Sequence, residues 1–399
     1  MPSLDVAAAR AVTPGCADLA FLNNAGAALP TQRTVDAVIG HLQLESRMGA
    51  YWAQDAVADR LATGKALAAQ LLNASGPDEI AYAASDSVAF NKVFWGLIIG
   101  EQVVPGDRIL VDRISYNSHY LSLLQAQERF DLRIDVLPSH PDGSIDVAAL
   151  DGALDDDVTL VSATMVGTHC GLVNPVADIG SRCRARGILF VLDACQGVGQ
   201  LPVDVQAIGC DALTTTGRKW LRAPRGTGLL WVHRDVIGEC VPIGIDATGA
   251  NWADEDHYEL APNAVRFQEF EIPVASFVGM VSALEQVGEI GIDAIHSRIS
   301  TLADRLRSDL AARAGVVVHD GAGPRSGIVT FSVAGRAPAE VVAAAREAGI
   351  AINVSSAPWA RLDMDAKGLT AVVRASPHYY NDDDELDRLL SVVDGVLPT

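Results

Sequence analysis

Basic residues are scarce in this chain, metal-ligand spacings are missing, and no apolar run reaches membrane-spanning length. Only 30 Lys and Arg stand against 50 Asp and Glu, a formal charge of −20. That balance repels nucleic-acid phosphates and anionic membranes and argues against either as a partner. Much of the acid lies in runs such as Asp155–Asp157 and Asp382–Glu385, which read as solvated turns and helix starts. The six cysteines, Cys16, Cys170, Cys183, Cys195, Cys210 and Cys240, contain no C-x-x-C pair. No histidine cluster has ligand spacing either, so no metal is expected and the thiols read as reduced and mostly buried. The apolar run Val93–Ile99 is far too short to cross a bilayer. Residues 1–20 lack the basic, apolar and small-residue sections of a signal peptide, so a cytoplasmic location is expected.

What the chain does have is alternation. With 399 residues and 49% hydrophobic content it is long enough for two lobes. Residues 32–49 and 54–73 read as helices. From there to about residue 235, apolar strands alternate with helices: strands at 108–112, 132–137, 159–165, 188–193, 212–215 and 228–232, helices at 87–99, 118–129 and 176–187. Continuous apolar runs such as Ile188-Leu189-Phe190-Val191-Leu192 imply burial on both faces and a mostly parallel sheet between helices. After about residue 270 the pattern becomes α+β. Helices are expected at 276–289, 293–314, 338–348 and 384–397, and strands at 327–333, 350–354 and 371–375.

In such a sheet, ligands gather at the carboxyl ends of the strands. Strand 188–193 ends in Asp193, followed by Ala194-Cys195-Gln196, and strand 212–215 runs into Thr216-Gly217-Arg218-Lys219. The turn Ala84-Ser85-Asp86-Ser87 opens a helix whose free N–H groups suit a phosphate. Singly, these features have bland readings as caps and turn residues. Together they supply a lysine for an aldehyde, a carboxylate for a ring nitrogen, and hydroxyls, a helix start and a cation for a phosphate. That is the set pyridoxal phosphate (PLP) needs.

At these residues the chain resembles the class V aminotransferase group of PLP enzymes, which includes cysteine desulfurases, isopenicillin N epimerase and the C–S lyase of ergothioneine biosynthesis. Phe21-Leu22-Asn23-Asn24-Ala25-Gly26 looks like its first strand and turn. Val191-Leu192-Asp193-Ala194-Cys195-Gln196 is similar to its V-D-x-x-Q motif, Thr215-Thr216-Gly217-Arg218-Lys219-Trp220 to its S-G-H-K motif, and Val373-Arg374-Ala375-Ser376 to its R-x-S. The resemblance implies PLP fold type I (aspartate-aminotransferase-like), with a seven-stranded, mostly parallel sheet in the large lobe and a smaller α+β C-terminal lobe. The expected division is an N-terminal arm at 1–20, a cofactor lobe at 21–270 and a small lobe at 271–399. A homodimer is expected as well.

Residue by residue, the resemblance makes Lys219 the Schiff-base lysine and catalytic base, and Asp193 the partner of the pyridine nitrogen. Gln196 and Thr168 fall near the ring's phenolic oxygen. Asp86, Ser87, Thr216 and Arg218 fall on phosphate positions. Tyr116 falls where a ring stacks on the cofactor, with a plain core aromatic as the other reading. Arg374 is expected to fork onto the substrate carboxylate, with Asn24 also facing the substrate. His169 either lines the site or caps a strand, and Tyr51, beside Trp52, either packs a helix end or lines the substrate mouth.

Two departures bear on the reaction. Desulfurases carry a nucleophilic cysteine on a loop before the C-terminal arginine strand, whereas Asn353-Val354-Ser355-Ser356-Ala357-Pro358-Trp359 has none. Where they place a threonine that reaches a neighbouring subunit's phosphate, this chain has Glu271. The expected reaction is therefore C–S β-lysis of an S-substituted cysteine, releasing thiol, pyruvate and ammonia. Rivals are the decarboxylating oxidative deamination found in lincosamide antibiotic pathways, epimerisation, and a non-catalytic PLP-binding scaffold.

Overall fold

A computed structural model describes residues 4–398; residues 1–3 of the expected N-terminal arm lie outside this range. Seven strands form one sheet in the order Ile80–Ala83, Gly228–Val232, Ala212–Thr216, Leu189–Asp193, Val158–Thr164, Arg108–Val111, Arg133–Val136. Strand Gly228–Val232 runs antiparallel to both neighbours and the other pairings are parallel. The central strands are buried along nearly their whole length, as the apolar runs 189–192 and 228–232 require. This is the fold type I architecture, and its parallel strands deliver their carboxyl ends to one edge.

A second sheet of four antiparallel strands, Val316–Val318, Val329–Val333, Ala371–Ala375 and Asn353–Ser356, has its own apolar core. The buried residues divide differently from the expected lobes. Ala20 and Leu22 belong to the small-sheet core, because Ala20–Phe21 pairs in parallel with Ile350–Ala351. Helix Val274–Ile290 puts Phe277, Met280 and Leu284 into the large-sheet core. We therefore propose Gly291, between two long helices, as the lobe boundary in place of residue 270.

Local differences have local causes. The first two expected helices are three, Gln32–Met48, Ala50–Asp55 and Ala58–Leu72, broken first at Gly49, whose φ of +83° side chains other than glycine's rarely adopt. The expected strand 350–354 is two, Ile350–Ala351 and Asn353–Ser356, which serve different sheets. The hairpin Ala250–Asp254/His257–Leu260 went unread because its residues are exposed and charged, without the alternation that marks a half-buried strand. Among the described residues, no helix is long and apolar enough to cross a membrane.

Candidate active site

The carboxyl edge of the large sheet and the rim of the small one enclose a cavity of about 150 Å³, lined in part by Tyr116, Thr168, Arg218, Lys219, Trp359 and Arg374. Lys219 stands three residues beyond strand Ala212–Thr216 on a tight turn. Gly217 makes that turn possible, since a Cβ there would lie 2.3 Å from Thr227 Oγ1. The Lys219 amine is buried and has no carboxylate within ion-pair distance among the described residues; it donates to Cys195 Sγ at 3.2 Å. It also sits 5.8 Å from the centre of the Tyr116 ring. A buried amine without a counter-ion is costly to keep and is characteristic of a reacting group.

Asp193 closes strand Leu189–Asp193, and its Oδ1 accepts the Cys195 N–H at 2.8 Å. Burial, reinforced by the neighbouring Asp86 carboxylate, pushes its pKa up to about 6. His119, absent from the sequence-based site, bridges these two acids. Its Nε2 lies 2.9 Å from Asp86 Oδ2 and its Nδ1 3.6 Å from Asp193 Oδ2. Asp86 is thus not free for a phosphate: its buried carboxylate turns inward to His119, where two anions would otherwise repel. Its contribution to a phosphate reduces to the backbone N–H of the first turn of helix Asp86–Ile99, which has no intrahelical acceptor. Ser87 Oγ pairs with Ser118 Oγ at 2.7 Å, and Thr216 Oγ1 donates to the Thr227 carbonyl at 3.2 Å. Arg218 reaches the Gly26 carbonyl and lines the cavity.

Gln196 donates to Ala25 O at 3.0 Å and Thr168 Oγ1 at 3.3 Å, and accepts from Trp220 Nε1 at 2.8 Å. Arg374, on strand Ala371–Ala375, is 6% exposed and hydrogen-bonds only neutral oxygens: Thr168 O at 2.8 Å, Thr168 Oγ1 at 3.0 Å and Asn23 Oδ1 at 3.5 Å. Its Nε has no partner, and burial pulls its pKa down to about 10. A buried guanidinium facing a cavity without its own carboxylate is an anion site.

Three expected site residues lie elsewhere. Asn24 is fully buried, bonded to Ser376 O at 2.7 Å and to Tyr380, so it clasps the N-terminal turn to the C-terminal segment. Tyr51 is 70% exposed and lines a separate cavity with Leu42, Phe270 and Glu271. His169 turns away from the pocket, its Nε2 2.7 Å from Asp363 Oδ2. Asp363 also takes Arg113 at 2.8 Å and Lys367 at 2.7 Å, so one buried acid ties the segment carrying Trp359 to the large sheet. That segment is strand Asn353–Ser356 followed by a short helix, not a loop tip, and it lays Trp359 parallel to Tyr116 at 6.2 Å.

Burial opposes charge on His169, but Cys170 and Asp363 outweigh it and raise its pKa to about 9. A raised histidine stabilises fully below its unfolded value near 6.5, and that stability is lost as pH rises through about 9. His169→Gln should therefore cost on the order of 3 kcal/mol below pH 6.5, with the gap to the parent narrowing toward pH 9. Thermal unfolding of both proteins across this window measures it, and a pH-independent gap contradicts it.

Residues 20–389 match the family Aminotransferase class-V. The chain belongs to this family. A probable cysteine desulfurase of Methanothermobacter thermautotrophicus is 28% identical over 366 residues, 90% of each chain. Another from Xylella fastidiosa strain 9a5c is 30% identical over 342 residues, 83% of this chain and 79% of its own. The apo cysteine desulfurase of Thermococcus onnurineus NA1 superposes with a TM-score of 0.92 at 22% identity, covering 100% of this chain and 99% of that one. The cystine C–S lyase C-DES, solved with its product cysteine persulfide, reaches 0.87 at 21% identity, covering 97% and 100%. At these identities the structures speak to fold alone. Pyridoxal phosphate is the cofactor of this class-V enzyme. The buried, unpaired amine of Lys219 and the inward-facing Asp193 fit it.

Proposed function

We propose that this enzyme is a C–S β-lyase acting on S-substituted cysteines. The observation that carries the reading is a cavity lined by Lys219 and the uncompensated Arg374, with no cysteine among its lining residues. Bound there, the cofactor supplies an electron sink for the bond broken at the substrate Cα. Arg374 binds the α-carboxylate and fixes which Cα bond is activated. Lys219, once free, takes the Cα proton, and the sulfur group departs from Cβ as a thiolate. Asp193 would pair with the ring nitrogen and favour its protonated form. Ser87, Thr216, Arg218 and the first turn of helix Asp86–Ile99 would hold the phosphate. Gln196 and Thr168 would hold the ring's phenolic side, and Tyr116 would pack against the ring.

A desulfurase needs a thiolate poised at the substrate sulfur. Ser355 and Trp359 line the cavity where that thiol would approach. Cys195 lies near Lys219, but burial pushes its thiol far up, which suits a packing role. Incubation with S-alkyl cysteines should give thiol and pyruvate in equal amounts, by mass spectrometry and a coupled pyruvate assay. Carbon dioxide with an S-alkyl aldehyde would assign the decarboxylating reaction, an inverted amino acid the epimerase, and protein-bound persulfide from free cysteine the desulfurase.

We also propose a homodimer. Tyr51 and Phe270 lie 6.3 Å apart, Asp246 ties Phe270 to the loop before the exposed hairpin, and Trp252 and Tyr258 pair across it. Trp52 and Trp252 are 71% and 78% exposed, large aromatic side chains that a second copy of the chain would cover. Light scattering at micromolar concentration should give twice the chain mass; a fully active monomer would refute this.

A further inference from the structure

Helix Asp86–Ile99 grips the imidazole of His119 with two residues one turn apart. The Asp86 carboxylate meets Nε2 at 2.9 Å, and the Phe90 ring stacks on the imidazole face at 4.0 Å and 10°. The remaining nitrogen, Nδ1, points toward Asp193 Oδ2 at 3.6 Å. All three polar side chains are buried. No phosphate cradle needs a carboxylate at Asp86, and no ordinary core needs an ionisable triad. We propose that His119, held charged by Asp86 and flat by Phe90, is the positioning residue that keeps Asp193 ionised and aimed at the pyridine nitrogen. This rests on the pairing of Asp193 with that nitrogen.

The charges bear this out. Burial alone would protonate Asp193, and Asp86 pushes the same way, while His119 and Lys219 oppose them. Burial likewise disfavours the imidazolium, but Asp86, Asp193 and, further off, Asp112 outweigh it and raise the pKa of His119. Asp112, just beyond strand Arg108–Val111, is itself pushed up to about 7, chiefly by burial, and so carries only part of a negative charge near neutrality. The groups facing His119 are therefore two carboxylates, the partly ionised Asp112 and the Lys219 amine. If His119 loses its charge, Asp193 takes up a proton, and the proton on the ring nitrogen is no longer held there.

The test is ¹⁵N NMR of holoenzyme reconstituted with pyridoxal phosphate labelled at the pyridine nitrogen. Asp86→Asn and His119→Gln should each move that signal from the protonated toward the unprotonated position, and kcat should fall about 10–100-fold with KM within about twofold. Asp193→Asn is the control. If it moves the signal while the other two variants do not, the relay is wrong and the pairing of Asp193 stands. If Asp193→Asn leaves the signal in place, that pairing and the relay fall together. A measurement on the unaltered chain guards against variants that fail to fold. Histidine labelled at both ring nitrogens should show His119 doubly protonated at pH 7, and a neutral imidazole there overturns the proposal.

Discussion

Lys219→Ala is expected to leave a folded protein that still binds pyridoxal phosphate but has lost turnover and can no longer be labelled by borohydride. The amine has Cys195 Sγ as its hydrogen-bond partner and no ion pair among the described residues, so its removal breaks little that holds the fold. What disappears is the covalent attachment of the cofactor and the base for the Cα proton, both at once. The base alone accounts for about 10²–10⁴-fold in rate, and loss of the covalent link adds to it. The groups proposed to hold the phosphate, the first turn of helix Asp86–Ile99 and Arg218, are left in place, so the variant should retain cofactor by absorbance, more weakly than the parent. Peptide mapping of the reduced parent should place the label on Lys219; a label on any other residue would overturn the site.

The central strands that build this edge were legible because burial on both faces excludes charged residues from their interiors. Strands 228–232 and 371–375 were read with their observed limits and most others within about two residues, but Ile80–Ala83 and Val316–Val318 were not read as strands and 350–354 proved to be two. Asp193 was legible for a related reason, as the one charged residue at the carboxyl end of an apolar strand, and Lys219 as one of two adjacent cations leaving a buried strand. What sequence could not give was the direction of side chains meeting from distant segments. Asn23 and Asn24 are adjacent and chemically identical, yet Asn23 faces Arg374 while Asn24 is consumed by Ser376 and Tyr380. Only the register of Ala20–Phe21 against Ile350–Ala351 decides which is which. His169 follows Thr168 directly, but its partner, Asp363, is 194 residues away.

His119 was missed for the same reason. It is a single histidine in an amphipathic helix, where a satisfied surface or core histidine is the ordinary expectation. Asp86 and Phe90 do carry a local signal, since residues four apart share a helix face. Nothing in the spacing says that this face meets a second helix that starts 31 residues after Asp86. Asp86 was read from its position at a helix start, where an anion site is common. Its side chain is itself anionic, and that chemistry favoured a buried cation over a phosphate.

Arg374→Ala should cost about 2–5 kcal/mol of transition-state stabilisation, a loss of about 30–5,000-fold in kcat/KM. The guanidinium is buried with its Nε unpartnered and bonds only neutral oxygens, so it has paid desolvation without a counter-charge. A substrate carboxylate recovers that cost, and because it also fixes the Cα geometry, part of the loss should fall on kcat and not KM alone. Arg374→Lys should rescue partly, since an ammonium keeps the charge but cannot fork. Truncation also frees Thr168, which Gln196 still holds at 3.3 Å, so some loss will be positional. An S-substituted cysteamine, which has the amine and sulfur but no carboxylate, separates the two. Its binding, followed by the shift in cofactor absorbance, should be weak in the parent and nearly unchanged by Arg374→Ala if the arginine serves the carboxylate. Equal losses for the amine and the amino acid would make Arg374 a structural prop and move the carboxylate site elsewhere in the cavity.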